Sequence, residues 1–448
     1  MGTAINPIET LRELESVAAE FADLPPEIVV KEDCLRNGVR FSPRALSLGH
    51  AYARKSYFIF SFDRQELSEV DDASREQAPE EIALFGGPRG FRRVVVSVRL
   101  NAQSPWCVDV TPEERLVLRC GTEEFCEVEF SARPPYYGDK LADGTPITEV
   151  APSIEWGYLL YLTVFRMCQY FGKEEECQFC DINRNFKQQR DLGRPYFAVK
   201  PKERLLEALD RVVASGARAK AYTITGGSVT SRLEGQDEAS FYTDYARAIE
   251  DRFPGRWIGK MVVQALPKSD VQRIRDAGIR IYHPNYEIWD PRLFSLICPG
   301  KARYVGRDEW IRRILDSAEV FPPECVIPNF VAGIEMSAPH GFKTEEEAWN
   351  STGEGLSYFM SRGISPRFTS WCPEPLSVLG RSSGPASLRY HVGLVKLWRD
   401  IHRSFGLPVP PGYGEAGIGR AVFSVSSFMD AIPDGAPRVE FSSLAKQS

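Results

Sequence analysis

Histidine is scarce in this sequence, with 5 among 448 residues. That scarcity argues against a metal-dependent barrel hydrolase, whose ligand sets need histidines and carboxylates clustered at strand ends. No apolar run approaches the roughly 20 residues of a membrane-spanning helix. The stretch MGTAINPIETLRELESVAAEF has polar and acidic residues where a signal peptide needs an apolar core, so a cytoplasmic location is the expectation. Gly2 follows Met1, but Asn6 and Pro7 stand where myristoylation wants Ser or Thr. An excess of positive charge is also missing: 55 Lys and Arg against 61 Asp and Glu leave a formal charge of −6. Neither nucleic acid nor an anionic membrane is therefore an expected partner. Internal repeats and long low-complexity runs are absent. With 43% hydrophobic and 26% charged residues, the chain has the make-up of a folded enzyme.

Ten cysteines are present, but disulfide frameworks belong to small secreted domains, which favours metal or redox roles for some of these. Seven are scattered, namely Cys34, Cys107, Cys120, Cys126, Cys298, Cys325 and Cys372, and isolated thiols behave as small buried hydrophobes. The gaps between Cys107, Cys120 and Cys126 match no common ligand spacing.

At this length one catalytic body with appended units is the expected organisation. Residues 1–150 predict an N-terminal mixed α+β accessory domain: a leading helix, a polar charged stretch (DRQELSEVDDASREQAPEE), and alternating runs such as RRVVVSVRL and ERLVLRC that read as strands. The turn-rich ARPPYYGDKLADGTP closes it.

Over residues 151–384, short apolar runs alternate with amphipathic stretches. The strand candidates are GYLLYLTVF, AYTITGG, KMVVQAL, IRIYHPNYEI, CVIPNFVAGIE and SPRFTSWC, and the helix candidates between them include three that end on Gly216, Gly278 and Gly363, the usual left-handed terminators. Alternation of this kind predicts an α/β fold with parallel strands, a partial (βα)6 TIM-type barrel two strands short of closure. Residues 385–448 predict a C-terminal helical extension, SLRYHVGLVKLWRDIHRSFG, followed by a trailing tail.

The segment RMCQYFGKEEECQFCDINRNF begins where the first barrel strand ends and places Cys168, Cys177 and Cys180 in one loop at the face where barrel enzymes carry their chemistry. Three thiolates leave one iron of a cubane free to bind something else, whereas four close the shell of a structural zinc or an electron-transfer cluster. A zinc site would need His283 or His340 as its fourth ligand, and no second CxxC pair exists to build a ribbon. A redox pair of Cys177 and Cys180 is the other alternative, although such motifs open a helix in a different strand order.

This arrangement resembles the radical S-adenosylmethionine superfamily, nearest to its biotin-synthase-like members, with a long first gap that makes the motif Cx8CxxC. The resemblance continues along the strand ends. Thr225, Gly226, Gly227 and Ser228 look like the family's glycine-rich element for the amino group of S-adenosylmethionine. Gln264, Asn285, Tyr286 and Glu287 are similar to positions lining cofactor or substrate, and Gly333 and Glu335 belong to a segment like the fifth-strand motif near the adenine. The run after Cys298 and the segment Trp371–Cys372–Pro373–Glu374–Pro375 fit the same order.

The resemblance implies a [4Fe–4S] cluster on Cys168, Cys177 and Cys180. It further implies reductive cleavage of S-adenosylmethionine and hydrogen abstraction from a small-molecule substrate in a biosynthetic pathway, with a flavodoxin- or ferredoxin-type electron donor. Phe179 would pack on the adenine, with Asp181 and Asn183 near its edge. Cys298, Cys372 and Tyr286 are the candidate catalytic residues, with Tyr282 and Trp371 beside them. Rearrangement, C–C or C–S bond formation, and sulfur insertion from a protein thiol remain alternative outcomes, and a structural or electron-carrying iron–sulfur or zinc protein is the reading from another class. The N-terminal domain is expected to cover the substrate or recruit the reductant.

Overall fold

The computed structural model describes residues 5–48, 51–65, 72–414 and 421–439. Part of the charged stretch, the end of the Pro/Gly-rich segment and residues 440–448 lie outside this set.

Two sheet systems organise the chain. The first has six strands, β1 (Arg40–Phe41), β2 (Glu81–Gly86), β3 (Phe91–Ser97), β4 (Trp106–Val110), β5 (Leu116–Cys120) and β6 (Glu123–Phe130), in the order β1-β4-β5-β6-β2-β3. All its pairings are antiparallel except β1 with β4. Cys107, Cys120 and Cys126 lie in these strands and are buried, as their alternating surroundings suggest.

The second system begins with the short β7 (Ser153–Ile154), antiparallel to β8 (Leu159–Phe165). Then follow β9 (Ala221–Gly226), β10 (Ile258–Val263) and β11 (Ile281–Pro284), paired in parallel and in chain order. A further parallel pair, β12 (Asn329–Ala332) with β13 (Arg367–Ser370), joins β11 through bridges at Tyr282–Val326 and Glu287–Phe330. Six parallel strands thus stand side by side in sequence order, each crossover carrying helix, as right-handed βα units require. The helices are capped as their sequences indicate: Asp237 accepts from Ser240 N, and Thr344 with Glu347 forms a capping box. Gly216, Gly278 and Gly363 adopt φ of 69°, 92° and 78° just past helix ends.

The six strands do not close on themselves. Among the described residues nothing pairs β8 with β13. The segment Phe423–Val425 fills the gap instead, its Ser424 carbonyl accepting from Ser97 N at the end of β3 (2.9 Å) and its Val425 carbonyl from Ser370 N at the end of β13 (3.0 Å). The expected trailing tail is therefore corrected over this stretch: Phe423, Phe428, Met429 and Ile432 are buried because they complete a wall that the missing barrel strands leave open.

The boundary near 150 separates the two sheet systems, but one apolar cluster runs across it and across that near 385, from Leu14 to Ile432. Helix Pro26–Asn37 lies at the junction with 11 buried residues. Its charges are satisfied by distant segments: Lys31 donates to Asp430 Oδ2 (2.7 Å) and the Phe423 carbonyl (2.8 Å), while Glu32 accepts from Ser370 Oγ (2.6 Å) and Ser427 N (2.7 Å). No helix of the described chain is long and apolar enough to cross a membrane.

Candidate active site

Side chains alternate across a strand, so every second residue of the parallel sheet faces one side. On the concave side these are Tyr161 of β8, Thr223 and Thr225 of β9, Val262 of β10, Asn329 and Val331 of β12, and Arg367 and Thr369 of β13. Together they line a cavity of about 210 Å³. The sheet is thus curved around a chamber, which Phe58, Phe60 and Phe62 of the N-terminal region and Phe423–Val425 wall off.

The cysteines sit at the C-terminal end of this chamber, and Cys168, Cys177 and Cys180 all line it half-buried. Their loop is anchored at both ends. Asn183 grips the backbone of Cys168, accepting from its N–H (2.7 Å) and donating to its carbonyl (3.2 Å). Gln178 donates its backbone N–H to the Ile297 carbonyl (2.8 Å) and accepts from Leu379 N (2.9 Å), while Gln169 Oε1 accepts from the backbone N–H groups of Thr230 and Ser231. Burial pushes the Cys168 thiol up to about 11 and Cys180 well above the ordinary thiol range, whereas a hydrogen bond with Cys298 draws Cys177 down. The Cys180 thiol is also raised by charge on both other cysteines of the loop, which places the three within electrostatic reach of one another.

Among the described residues no three His, Cys, Asp or Glu side chains gather tightly enough to hold one metal ion. His283 donates from Nδ1–H to the Ile327 carbonyl (3.0 Å), lower in the barrel. These placements speak against the zinc reading. A cubane, by contrast, takes each thiolate on a different iron, which suits three thiols spread along one chamber wall.

Gly226 and Gly227 end β9 directly beneath this loop. A Cβ on Gly227 would meet the Met167 carbonyl at 2.0 Å and Cys168 Cα at 2.5 Å, and one on Gly226 would meet the Phe165 carbonyl at 2.4 Å. Their missing side chains admit the cysteine loop itself, a closer neighbour than any ligand. Beside them Tyr170 OH donates to Gln264 Oε1 (3.1 Å), whose Nε2 donates to Glu238 Oε2 (2.5 Å), which also accepts from Val229 N (2.7 Å). Burial holds Glu238 up at about 7. Glu287, at φ 83°, pairs with the ammonium of Lys301, which lies over the Trp310 ring at 4.7 Å.

The candidate residues thus divide. Phe179, Thr225, Gly226, Gly227, Ser228, Gln264, Asn285, Glu287, Trp371 and Cys372 line the chamber with the three cysteines. Asp181 and Asn183 lie behind it, Asn183 bracing the cysteine loop and Asp181 accepting from the N–H and hydroxyl of Ser61 (3.2 and 2.8 Å). Glu374 accepts from Phe62 N (2.6 Å), so two carboxylates clamp the Phe58–Phe62 segment over the site.

Five candidates are placed elsewhere. Tyr286 is fully buried among Trp289, Phe294, Phe330 and Phe359, and Tyr282 bridges the Leu266 N–H and the Gln264 carbonyl. Glu335 accepts from Tyr390 OH and Thr352 Oγ1, with Gly333 beside His391. Cys298 is fully buried behind Cys177.

Sequence reasoning missed Glu155, Tyr161, Glu238, Lys301, Asn329 and Arg367, all of which line the chamber. For Tyr161, Asn329 and Arg367 the signal was polar residues at period two inside apolar strands, whereas Glu155, Glu238 and Lys301 lie in a turn and in helices. Asn285 Oδ1, Glu238 Oε1, Glu155 Oε2 and Trp371 Nε1 are buried and have no hydrogen-bond partner, the condition of a polar cavity built around something it binds.

No protein-family model and no curated protein sequence matches the chain. Among solved structures it is similar to methylornithine synthase (PylB), at 12% identity over 65% of this chain and 80% of that one, with a TM-score of 0.39. It is similar also to the FeFe-hydrogenase maturase HydG from Carboxydothermus hydrogenoformans, at 14% identity over 58% of this chain and 54% of that one, TM-score 0.40. Coproporphyrinogen III oxidase (HemN) from Escherichia coli, described as a radical SAM enzyme, matches at 10% identity over 56% and 52%, TM-score 0.34.

Proposed function

We propose that the chain is a radical S-adenosylmethionine enzyme, with a [4Fe–4S] cluster held by Cys168, Cys177 and Cys180 and a small-molecule substrate in the chamber below. The observation that carries this reading is the placement of the three thiols at the C-terminal end of six consecutive parallel strands, all facing one cavity whose mainly apolar lining is interrupted by polar side chains. When bound, the cluster supplies one-electron cleavage of the sulfonium bond.

The chain's own residues do the rest. Three protein thiolates would leave one iron of the cluster without a protein ligand, open to the amino and carboxylate groups of S-adenosylmethionine. Unpartnered Asn285 Oδ1 and Glu238 Oε1 would accept from the N–H groups of its amine, and Phe179 is the apolar surface for its adenine. Phe58, Phe60, Phe62 and Phe423 exclude water, which a reactive carbon radical requires. An electron donor of the flavodoxin or ferredoxin type completes the system. The reading places Cys372 at the chamber wall as the available protein thiol. Burial holds it up at about 11, protonated at neutral pH and so a hydrogen donor rather than a nucleophile.

The test is anaerobic reconstitution with iron and sulfide, reduction in the presence of S-adenosylmethionine, and assay for 5′-deoxyadenosine. The parent yields it and Cys180→Ala does not. A reconstituted parent that leaves S-adenosylmethionine intact, or a Cys180→Ala variant equal to the parent, refutes the proposal.

A further inference from the structure

The interior of a parallel barrel is ordinarily filled with layers of Val, Ile and Leu. Here the layer below the cysteines is polar. Tyr161 stands beside Thr223 and Thr223 beside Lys260 in the strand register, while Asn329 stands beside Arg367. Arg367 opens β13 and faces the chamber. Its Nε donates to Asn329 Oδ1 (3.1 Å) and its Nη1 to Tyr413 OH (3.3 Å); both acceptors are neutral. Half-buried at the chamber wall, it makes no ion pair among the described residues, where a guanidinium drawn out of bulk water is commonly paired.

The neighbouring charges do not supply the missing partner. Lys260 donates to the Gly412 carbonyl (3.1 Å) and lies over the Tyr413 ring at 4.4 Å, adding a second cation. Glu155 faces both, and burial raises its pKa while it lowers that of Lys260. Glu81 and Glu80 line the chamber too, but each is taken up locally. Glu81 accepts from the N–H groups of Glu155 and Trp156 (2.9 and 2.8 Å), and Glu80 from the N–H and hydroxyl of Ser56 (2.8 and 3.1 Å). His283 is held neutral by burial and by the positive charge of Arg367 and Lys260. Arg367 thus lines the chamber with Lys260 buried nearby, and Glu155 is the carboxylate that faces both.

We propose that Arg367 binds a carboxylate group of the substrate, with Thr369 and Tyr161 beside it, so that the enzyme acts on a small organic acid. The planar guanidinium matches a carboxylate in a two-point fork, and its present partners are neutral groups only. Trp371 lies four residue steps beyond Arg367, just past the end of β13, about 13 Å away at strand spacing. An acid anchored at Arg367 therefore extends up the chamber toward the cysteines, past Val262, Val331 and the Phe58–Tyr161 ring pair (4.6 Å). This assignment rests on reading the chamber as the substrate site.

The test uses two matched probe pairs, 3-phenylpropionate with 3-phenylpropionamide and pentanoate with pentanamide, titrated calorimetrically into the full chain. At least one acid binds the parent tenfold or more tightly than its amide. The same preference appears in Cys180→Ala and falls toward unity in Arg367→Gln. Equal binding of acid and amide in both pairs, or a preference retained in Arg367→Gln, overturns the assignment, as does tighter binding of phenethyl phosphate than of 3-phenylpropionate. If Arg367→Gln does not fold, Arg367→Lys decides, since it keeps the charge and loses the fork; a preference unchanged from the parent again overturns the assignment. Acid preference intact without S-adenosylmethionine cleavage refutes the cluster reading alone, and cleavage without acid preference refutes this one alone.

Discussion

Replacing Gly227 by alanine separates the stability of the fold from the assembly of the site. The new Cβ lies 2.0 Å from the Met167 carbonyl and 2.5 Å from Cys168 Cα, about 1.5 Å short of an ordinary contact. Both obstacles are backbone, so relief comes only by moving the cysteine loop away from β9. Overpacking of this kind costs about 1–3 kcal/mol. Unfolding entropy of about 2.1 cal/mol/K per residue amounts to roughly 0.9 kcal/mol/K over this length, so Tm falls by only about 1–3 °C. The cluster is far more exacting, because its ligands must stay within tenths of an ångström of their places. The expected result is a folded variant with Tm within about 3 °C of the parent and, after anaerobic reconstitution, less than a tenth of its iron and sulfide. Parental iron content refutes the reasoning. A Tm loss much beyond 5 °C refutes it equally, since the strain would then not be local to the loop.

Two further substitutions test other parts of the structure. Lys301→Ala leaves the buried Glu287 without its cation, which costs about 3–5 kcal/mol. Thermal unfolding should show the loss, and the double variant Lys301→Met with Glu287→Gln should recover most of it; a single variant as stable as the parent contradicts the pairing. Burial raises Glu80 from 4.5 to about 7, so between those values the folded state keeps a proton that the unfolded chain releases, and stability falls as pH rises through that window. Glu80→Gln removes this slope and gains on the parent by up to about 3 kcal/mol between pH 4.5 and 7. Denaturant midpoints of the two proteins at pH 5 and pH 8 measure it, and a constant difference rules it out.

The parallel strands were legible because each is a short run of β-branched or aromatic residues between helices with clear ends. The cysteine loop was legible because three thiols in 13 residues of a histidine-poor chain have few other uses. Which side of a strand end a residue takes was not legible. Tyr286 and Glu287 are adjacent in sequence, yet the first packs outward on Phe294 and the second lines the chamber; with a period of two, one residue decides the side. Arg367 and Asn329 lay inside the strand candidates SPRFTSWC and CVIPNFVAGIE, yet nothing in those runs marked their side chains as facing a chamber. Helix Pro26–Asn37 has nearly as many charged residues as apolar ones, and nothing within it signals burial. Its partners Asp430 and Ser427 lie almost 400 positions along the chain, a distance no local pattern spans.

Phe423–Val425, the strip between β3 and β13, has a consequence for biosynthesis. It follows Cys168 by about 250 residues, and translation proceeds at about 5–20 residues per second. The cysteine loop therefore leaves the ribosome roughly 12–50 seconds before the strip that encloses it. During that interval the cysteine loop stands without the strip that later walls the chamber on that flank.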